Sequence, residues 1–251
     1  MADSPSFTDP HPDLSALAAA VATQMDRARS DLSDLVAFPS VHDAEPQACA
    51  QARDLVRDLL GELPVPGLGP ESVQVIETSD GSHAVFAHRP AAPGRPTVLL
   101  YSHYDVQPSG DPAEWTSSPW ELTERDGRWY GRGAADCKGN LVVHLTALRA
   151  LAAAAGDGSG ELAAAAGDGS GGNDDDAVDS SARSGTDPLN GLGIRLVVEG
   201  SEETGGGGLD DLVAERPELV AADAILIVDS GNVEVGSPTL TTSLRGIANV
   251  V

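Results

Sequence analysis

What this sequence has little of narrows it first. Its two cysteines, Cys49 and Cys137, are too few and too far apart for a disulfide framework or a zinc-type cysteine pair. That scarcity fits a reducing compartment. Lys138 is the only lysine, all other basic side chains are arginine, and the formal net charge is -24. A chain this acidic repels nucleic acid and anionic membrane surfaces, so neither is expected as a partner. No apolar run approaches the length of a bilayer span. The start, Met1 through Leu14, is rich in Pro, Asp and Ser and lacks a basic stretch followed by an apolar one. No signal peptide is therefore read, and a soluble cytoplasmic protein is expected. Aromatics make up 4% of the chain, yet hydrophobic residues reach 41%, and 251 residues suffice for a substantial core. One further scarcity matters below: no histidine follows His144.

What is present alternates between strands and helices. Residues 1–12 read as a flexible leader. Apolar residues at helical spacing (Leu14, Leu17, Val21, Met25, Leu32, Leu35) predict a helix from Asp13, a plausible cap, to about Ala37. A second helix is expected over Glu45–Leu60, then short strands near Val73–Thr78 and Ala84–Ala87. Thr97–Tyr101, opened by Pro96, reads as a strand covered on both faces. Trp120–Thr123, Asp126-Gly127 and Arg128–Tyr130 form a hairpin pattern. A helix over Lys138–Ala155 follows, then strands near Gly193–Val198 and Ala224–Val228 flanking a helix at Leu209–Glu215. This order implies an α/β fold: a central, largely parallel twisted sheet with helices on both faces, and an active site at the carboxyl ends of its strands.

The stretch 156–190 differs in kind. Leu151–Glu161 recurs almost unchanged as Leu162–Gly172, each reading Leu, four Ala, then Gly-Asp-Gly-Ser-Gly, and an acidic run Asn173–Asp176 follows. It reads as a flexible Gly/Ala/Asp-rich insert unable to bury a core. A calcium loop is the sharper alternative, but the twelfth-position glutamate of an EF-hand is missing.

Chemistry concentrates where apolar strands end. His103 and Asp105 follow Thr97–Tyr101, Asp136 lies in a Gly-rich turn before a helix, Glu202 and Glu203 follow Ile194–Val198, and Asp229 follows Ala224–Val228. Singly, each has an ordinary explanation. His103 and Asp105 could be a satisfied strand-end pair, Asp136 a helix cap, Glu202 and Glu203 favourable charges before a helix, and Asp229 a turn aspartate. Together they gather four to five carboxylates on one sheet edge, which is costly unless cations neutralise them. Two divalent metals would do so. Histidine with carboxylates suits zinc, with manganese or cobalt as alternatives.

Three ordered motifs carry a resemblance: Ser102-His103-Tyr104-Asp105-Val106-Gln107-Pro108, the turn from Gly131 to Gly139, and Glu199-Gly200-Ser201-Glu202-Glu203. They resemble the carnosinase-type dipeptidases of the aminoacylase and glutamate carboxypeptidase superfamily of two-zinc hydrolases. The likeness covers about 13–155 and 190–251, and the Trp120–Tyr130 stretch leans towards the dipeptidases. The resemblance implies a zinc-peptidase-like catalytic domain hydrolysing the peptide bond of dipeptides or short peptides. It implies that His103 and Asp229 bind one metal, Asp136 bridges two, and Glu203 binds the second. Asp105 would orient the His103 imidazole, and Glu202 would be the general base that takes a proton from metal-bound water.

The departures are equally specific. In that family the second metal takes a further histidine near the end of a much longer chain, and here the second site is expected to be incomplete. Ser237–Val251 resembles the opening strand of a lid domain, so 13–236 is expected to be the N-terminal part of a catalytic domain. A homodimer is expected only of a longer form. Two alternatives stay open: an N-acyl amino acid deacylase of the same superfamily, and a non-catalytic metal-binding fragment that needs a partner. Cys137 stands where relatives commonly carry an acidic or small polar residue, and it reads as a tolerated neighbour rather than a nucleophile. Lys138 is expected to start a helix and pair with nearby carboxylates.

Overall fold

In the computed structural model the described residues are 14–156, 187–234, 237, 239 and 241. The leader, the Asp13 cap, most of the repeat insert and nearly all of the expected lid strand lie outside them.

The first apolar stretch forms two helices rather than one, α1 (Leu14–Ala22) and α2 (Met25–Val36). They divide at Thr23–Gln24, where the Gln24 amide closes a tight bond onto Val21 O at 2.9 Å. The Thr23 hydroxyl also donates to Ala20 O at 2.7 Å. Such local side-chain bonding competes with the helical ladder, and apolar spacing alone does not reveal it. Helix α3 (Pro46–Gly61) starts on a proline, whose missing N–H costs nothing in the first turn.

A five-stranded sheet follows the order β1 (Val73–Glu77), β2 (His83–Arg89), β6 (Gly193–Glu199), β3 (Thr97–His103), β7 (Ala224–Leu226). β6, β3 and β7 run parallel, whereas β1 and β2 join antiparallel at the other edge. The sheet is thus mixed, with parallel strands at the functional end. β3 runs two residues beyond its apolar core because Ser102 and His103 stay in register with Val198 and Glu199 of β6. His103 therefore ends the strand rather than following it. β4 (Thr123–Arg125) and β5 (Arg128–Tyr130) form a separate hairpin. Asp126 at φ 52° and Gly127 at φ 70° supply the two positive angles that a type I′ turn demands.

Helices cover both faces. On one, α2, α3 and α4 (Lys138–Gly156) bury Leu35, Val36, Val56, Leu60, Leu141 and Leu145 against Val85, Leu100, Leu196 and Val198. Each such side chain contributes about 1.5–3 kcal/mol on removal from water. On the other, α5 (Gly207–Glu215) and the turn Pro217–Leu219 bring Leu212 and Leu219 onto Ala84, Phe86, Leu99 and Val197. Arg149 of α4 pairs with Asp31 of α2 through a short contact, and both side chains are largely buried. At the end of the insert, Asp187 pairs with Arg89 and accepts from the Leu189 and Gly191 amides, and Leu189 is buried.

Lys138 corrects an expectation. It does start α4, but its fully buried ammonium donates to Leu35 O at 2.9 Å and Phe38 O at 2.7 Å rather than to carboxylates. It ties the last turn of α2 to the first turn of α4, and burial pushes its pKa down to about 7. Gly139 permits the turn before it: a Cβ there would lie 2.1 Å from Ala134 O.

Candidate metal centre

Three parallel strands deliver the site. β3 ends at His103, β6 runs into the turn Glu202–Thr204, and Asp229 lies three residues past β7. Asp136 reaches the same edge from the turn ahead of α4, so all these groups gather at the carboxyl ends of the parallel strands, as expected for such sheets.

His103 is fully buried and is the hub. Its Nδ1 faces Asp105, 3.2 Å from both Oδ1 and the backbone O. Its Nε2 lies 3.2 Å from Asp136 Oδ1, 3.6 Å from Glu202 Oε2 and 3.7 Å from Asp229 Oδ2. Despite this company Nε2 makes no hydrogen bond of acceptable geometry. A buried nitrogen ringed by carboxylate oxygens, none properly bonded to it, is the donor arrangement a divalent cation fits.

Asp105, also fully buried, does more than face the imidazole. Its carboxylate accepts from the Glu202 amide at 3.3 Å and the Glu203 amide at 3.0 Å. One carboxylate therefore fixes both the histidine and the two-glutamate turn. Gly200 lets that turn approach, since a Cβ there would collide with the Tyr104 hydroxyl at 2.2 Å.

Of the six predicted residues, the structure brings His103, Asp105, Asp136, Glu202 and Asp229 together. Glu203 lies beside them, its carboxylate held by the Gln107 amide at 3.2 Å and the Gln107 side chain at 2.9 Å. Asn140 escapes the sequence reading, and Cys137 is read there only as a tolerated neighbour. Asn140, in the first turn of α4, donates to Asp229 Oδ1 at 2.9 Å. Cys137, buried behind Asp136, brings its Sγ within 4.8 Å of His103 and Asp229 donor atoms. Asn140 carried no signal in sequence because its partner is 89 positions away.

The electrostatics reflect crowding. Burial would lower the His103 pKa, but polar contacts with Asp105 and Cys137 and the Asp105 charge outweigh it and push it up to about 12. Glu202 is raised first by burial, then by the charges of Glu203, Asp105 and Asp229, with His103 opposing. Asp229 is raised by burial and by Asp136, with His103 and Asn140 opposing. Beneath the centre, Glu199 is buried beside Tyr101, whose hydroxyl donates to it; burial raises its pKa to about 7. A cavity of about 400 Å³ opens next to the centre, lined by Val41, His42, Val106, Gln107, Pro108 and Glu203 among others. Pro108 O, on one of its lining residues, accepts from Arg132 at 3.1 Å, and the Arg132 guanidinium lies over the Trp115 ring.

Residues 99–166 match the profile described as peptidase family M20/M25/M40. The chain is 40% identical over 226 residues to a cysteinylglycine-S-conjugate dipeptidase of Corynebacterium striatum, covering 90% of this chain and 42% of that protein. It is 28% identical over 202 residues to a beta-Ala-His dipeptidase of Mus musculus, covering 80% of this chain and 35% of the relative. Among solved structures, human carnosine dipeptidase 1 superposes with a TM-score of 0.61 at 23% identity, over 85% of this chain and 40% of that one. That last likeness establishes the fold. The chain spans about two fifths of the length of these relatives.

Proposed function

We propose that this chain, a relative of the peptidase family M20/M25/M40 and its dipeptidases, carries the metal-binding and proton-transfer residues of a metal-dependent hydrolase that cleaves the peptide bond of dipeptides or short peptides. The observation that carries the proposal is the buried His103 Nε2 facing carboxylate oxygens from three separate segments at 3.2–3.7 Å.

The donor set suits divalent ions, with zinc the preferred identity and manganese or cobalt also compatible. His103 and Asp229 are the proposed ligands of one ion, Asp136 the bridge to a second, and Glu203 a ligand of the second. Bound there, the ions would lower the pKa of coordinated water and polarise the scissile carbonyl. The remaining tasks fall to the chain itself. Asp105 holds the imidazole with one nitrogen turned inward and fixes the glutamate turn through two backbone amides. Glu202, part-exposed and raised in pKa, is the proposed general base, poised to take a proton from the attacking water and return it to the leaving amine. The cavity beside Glu203 offers mostly apolar walls for a substrate side chain. For localisation, among the described residues no helix is long and apolar enough to cross a membrane, and cytoplasmic residence is part of the proposal.

The test is an assay of a zinc-loaded form spanning the relatives' length against dipeptides, including cysteinylglycine and β-alanyl-histidine, and against N-acetyl amino acids. Dipeptide hydrolysis that vanishes in Glu202→Gln while zinc content is unchanged supports the proposal. Hydrolysis confined to acyl substrates would replace it with the deacylase alternative.

A further inference from the structure

Cys137 lies at this centre, and the reading above does not use its chemistry. It is fully buried at the start of α4. Its Sγ, a ring nitrogen of His103 and a carboxylate oxygen of Asp229 all lie within 4.8 Å of one another. Its neighbour on the far side is Ser102, whose hydroxyl lies 2.9 Å from the sulfur and 3.2 Å from the Cys137 carbonyl. A cysteine in this position could simply be a small buried apolar filler. Against that stands a second observation: the buried His103 Nε2, unbonded in acceptable geometry, turns towards the same space.

We propose that the Cys137 thiolate is a ligand of the metal held by His103 and Asp229, which makes the centre a mixed sulfur, nitrogen and oxygen site. The inference rests on the metal-centre reading. Ligand lengths of about 2.3 Å for sulfur and about 2.0–2.2 Å for nitrogen and oxygen put one ion within reach of all three donors after small side-chain adjustments. Cys137 would join His103, Asp229 and the bridging Asp136 as a fourth protein ligand of that ion. On ligation the thiol loses its proton to solvent, and Ser102 remains placed to donate to the sulfur. A soft thiolate tilts selectivity towards zinc and cobalt and away from manganese and magnesium. The other cysteine, Cys49, lines a separate cavity with His42, Arg53 and Asp80 and takes no part.

Cobalt(II) titration of the full chain under a non-thiol reductant tests this by absorption. The expected spectrum has visible d–d bands together with a near-ultraviolet sulfur-to-cobalt charge-transfer band. That band should be retained in Cys49→Ser, be lost in Cys137→Ser, and disappear with the d–d bands in His103→Ala. Because the chain has only two cysteines, the Cys49→Ser spectrum is decisive even if Cys137→Ser fails to fold. Visible bands without charge transfer in the wild-type chain would overturn the thiolate ligand and leave the metal centre standing. Charge transfer that persists in Cys137→Ser would overturn it too. No cobalt spectrum at all would bring down the metal centre and this inference together.

Discussion

Two buried ion pairs among the described residues are built to opposite ends. Between α2 and α4, Arg149 meets Asp31 with one charge of each sign, and among the described residues no other acid lies within ion-pair distance of Arg149. At the carboxyl ends of the parallel strands, His103 meets Asp105, and then Asp136, Glu202 and Asp229 crowd its other nitrogen. The first pair is neutral by itself. The second gathers more negative charge than one imidazole can balance, which a protein tolerates where a cation completes the set. The contrast separates a charge pair that holds helices together from an acid cluster whose donors suit a cation.

Breaking the first pair should cost stability and nothing else. Asp31→Ala leaves Arg149 buried and unpaired, and a loss of about 3–5 kcal/mol in denaturant unfolding is expected. Its zinc affinity, measured on the folded fraction, should be unchanged; a parallel loss of zinc would erase the distinction between the two regions.

Weakening the second pair should do the reverse. Asp105→Asn keeps the shape but removes the charge behind the imidazole and weakens the bonds to the Glu202 and Glu203 amides. Zinc affinity by competition with a chromophoric chelator should fall about 10–100-fold, as for other groups that orient metal ligands. A change under threefold would mean that Asp105 is only a strand-end partner.

A smaller effect sharpens the comparison through pH. Glu199 is raised from 4.5 to about 7 by burial, so the fold favours its protonated form. Its contribution is complete below about pH 4.5 and is lost as pH rises through about 7, on the order of 3 kcal/mol in all. Glu199→Gln keeps an acceptor for the Tyr101 hydroxyl and should flatten that decline. The readout is the difference between the two stability profiles from pH 4.5 to 8, which cancels the histidines and carboxylates common to both. Parallel profiles would show that Glu199 titrates as an ordinary carboxylate.

Much of this was legible in the chain because strands here are short apolar runs punctuated by Pro and Gly. Thr97–Tyr101 and Gly193–Val198 could be read that way, and the acids after them were flagged by position alone. The antiparallel addition of β1 and β2 was not legible, since pairing partners depend on packing over distance rather than on local pattern. The break at Thr23–Gln24 was hidden by apolar spacing that continues across it. Lys138 was misjudged because a lone lysine among acids suggests ion pairing, whereas its neighbours in space are the carbonyls that end α2. The amides of Glu202 and Glu203 bonding to Asp105, 97 and 98 positions away, could not be inferred from spacing either.

The central claim is that His103 Nε2 and the carboxylates around it form a cation site, and zinc binding tests it most directly. Calorimetric titration of the chain should show at least one tightly bound zinc, with affinity falling more than about 100-fold in His103→Ala, beyond the loss for a merely orienting group. Equal zinc binding by wild type and His103→Ala, or none by either, would contradict the account.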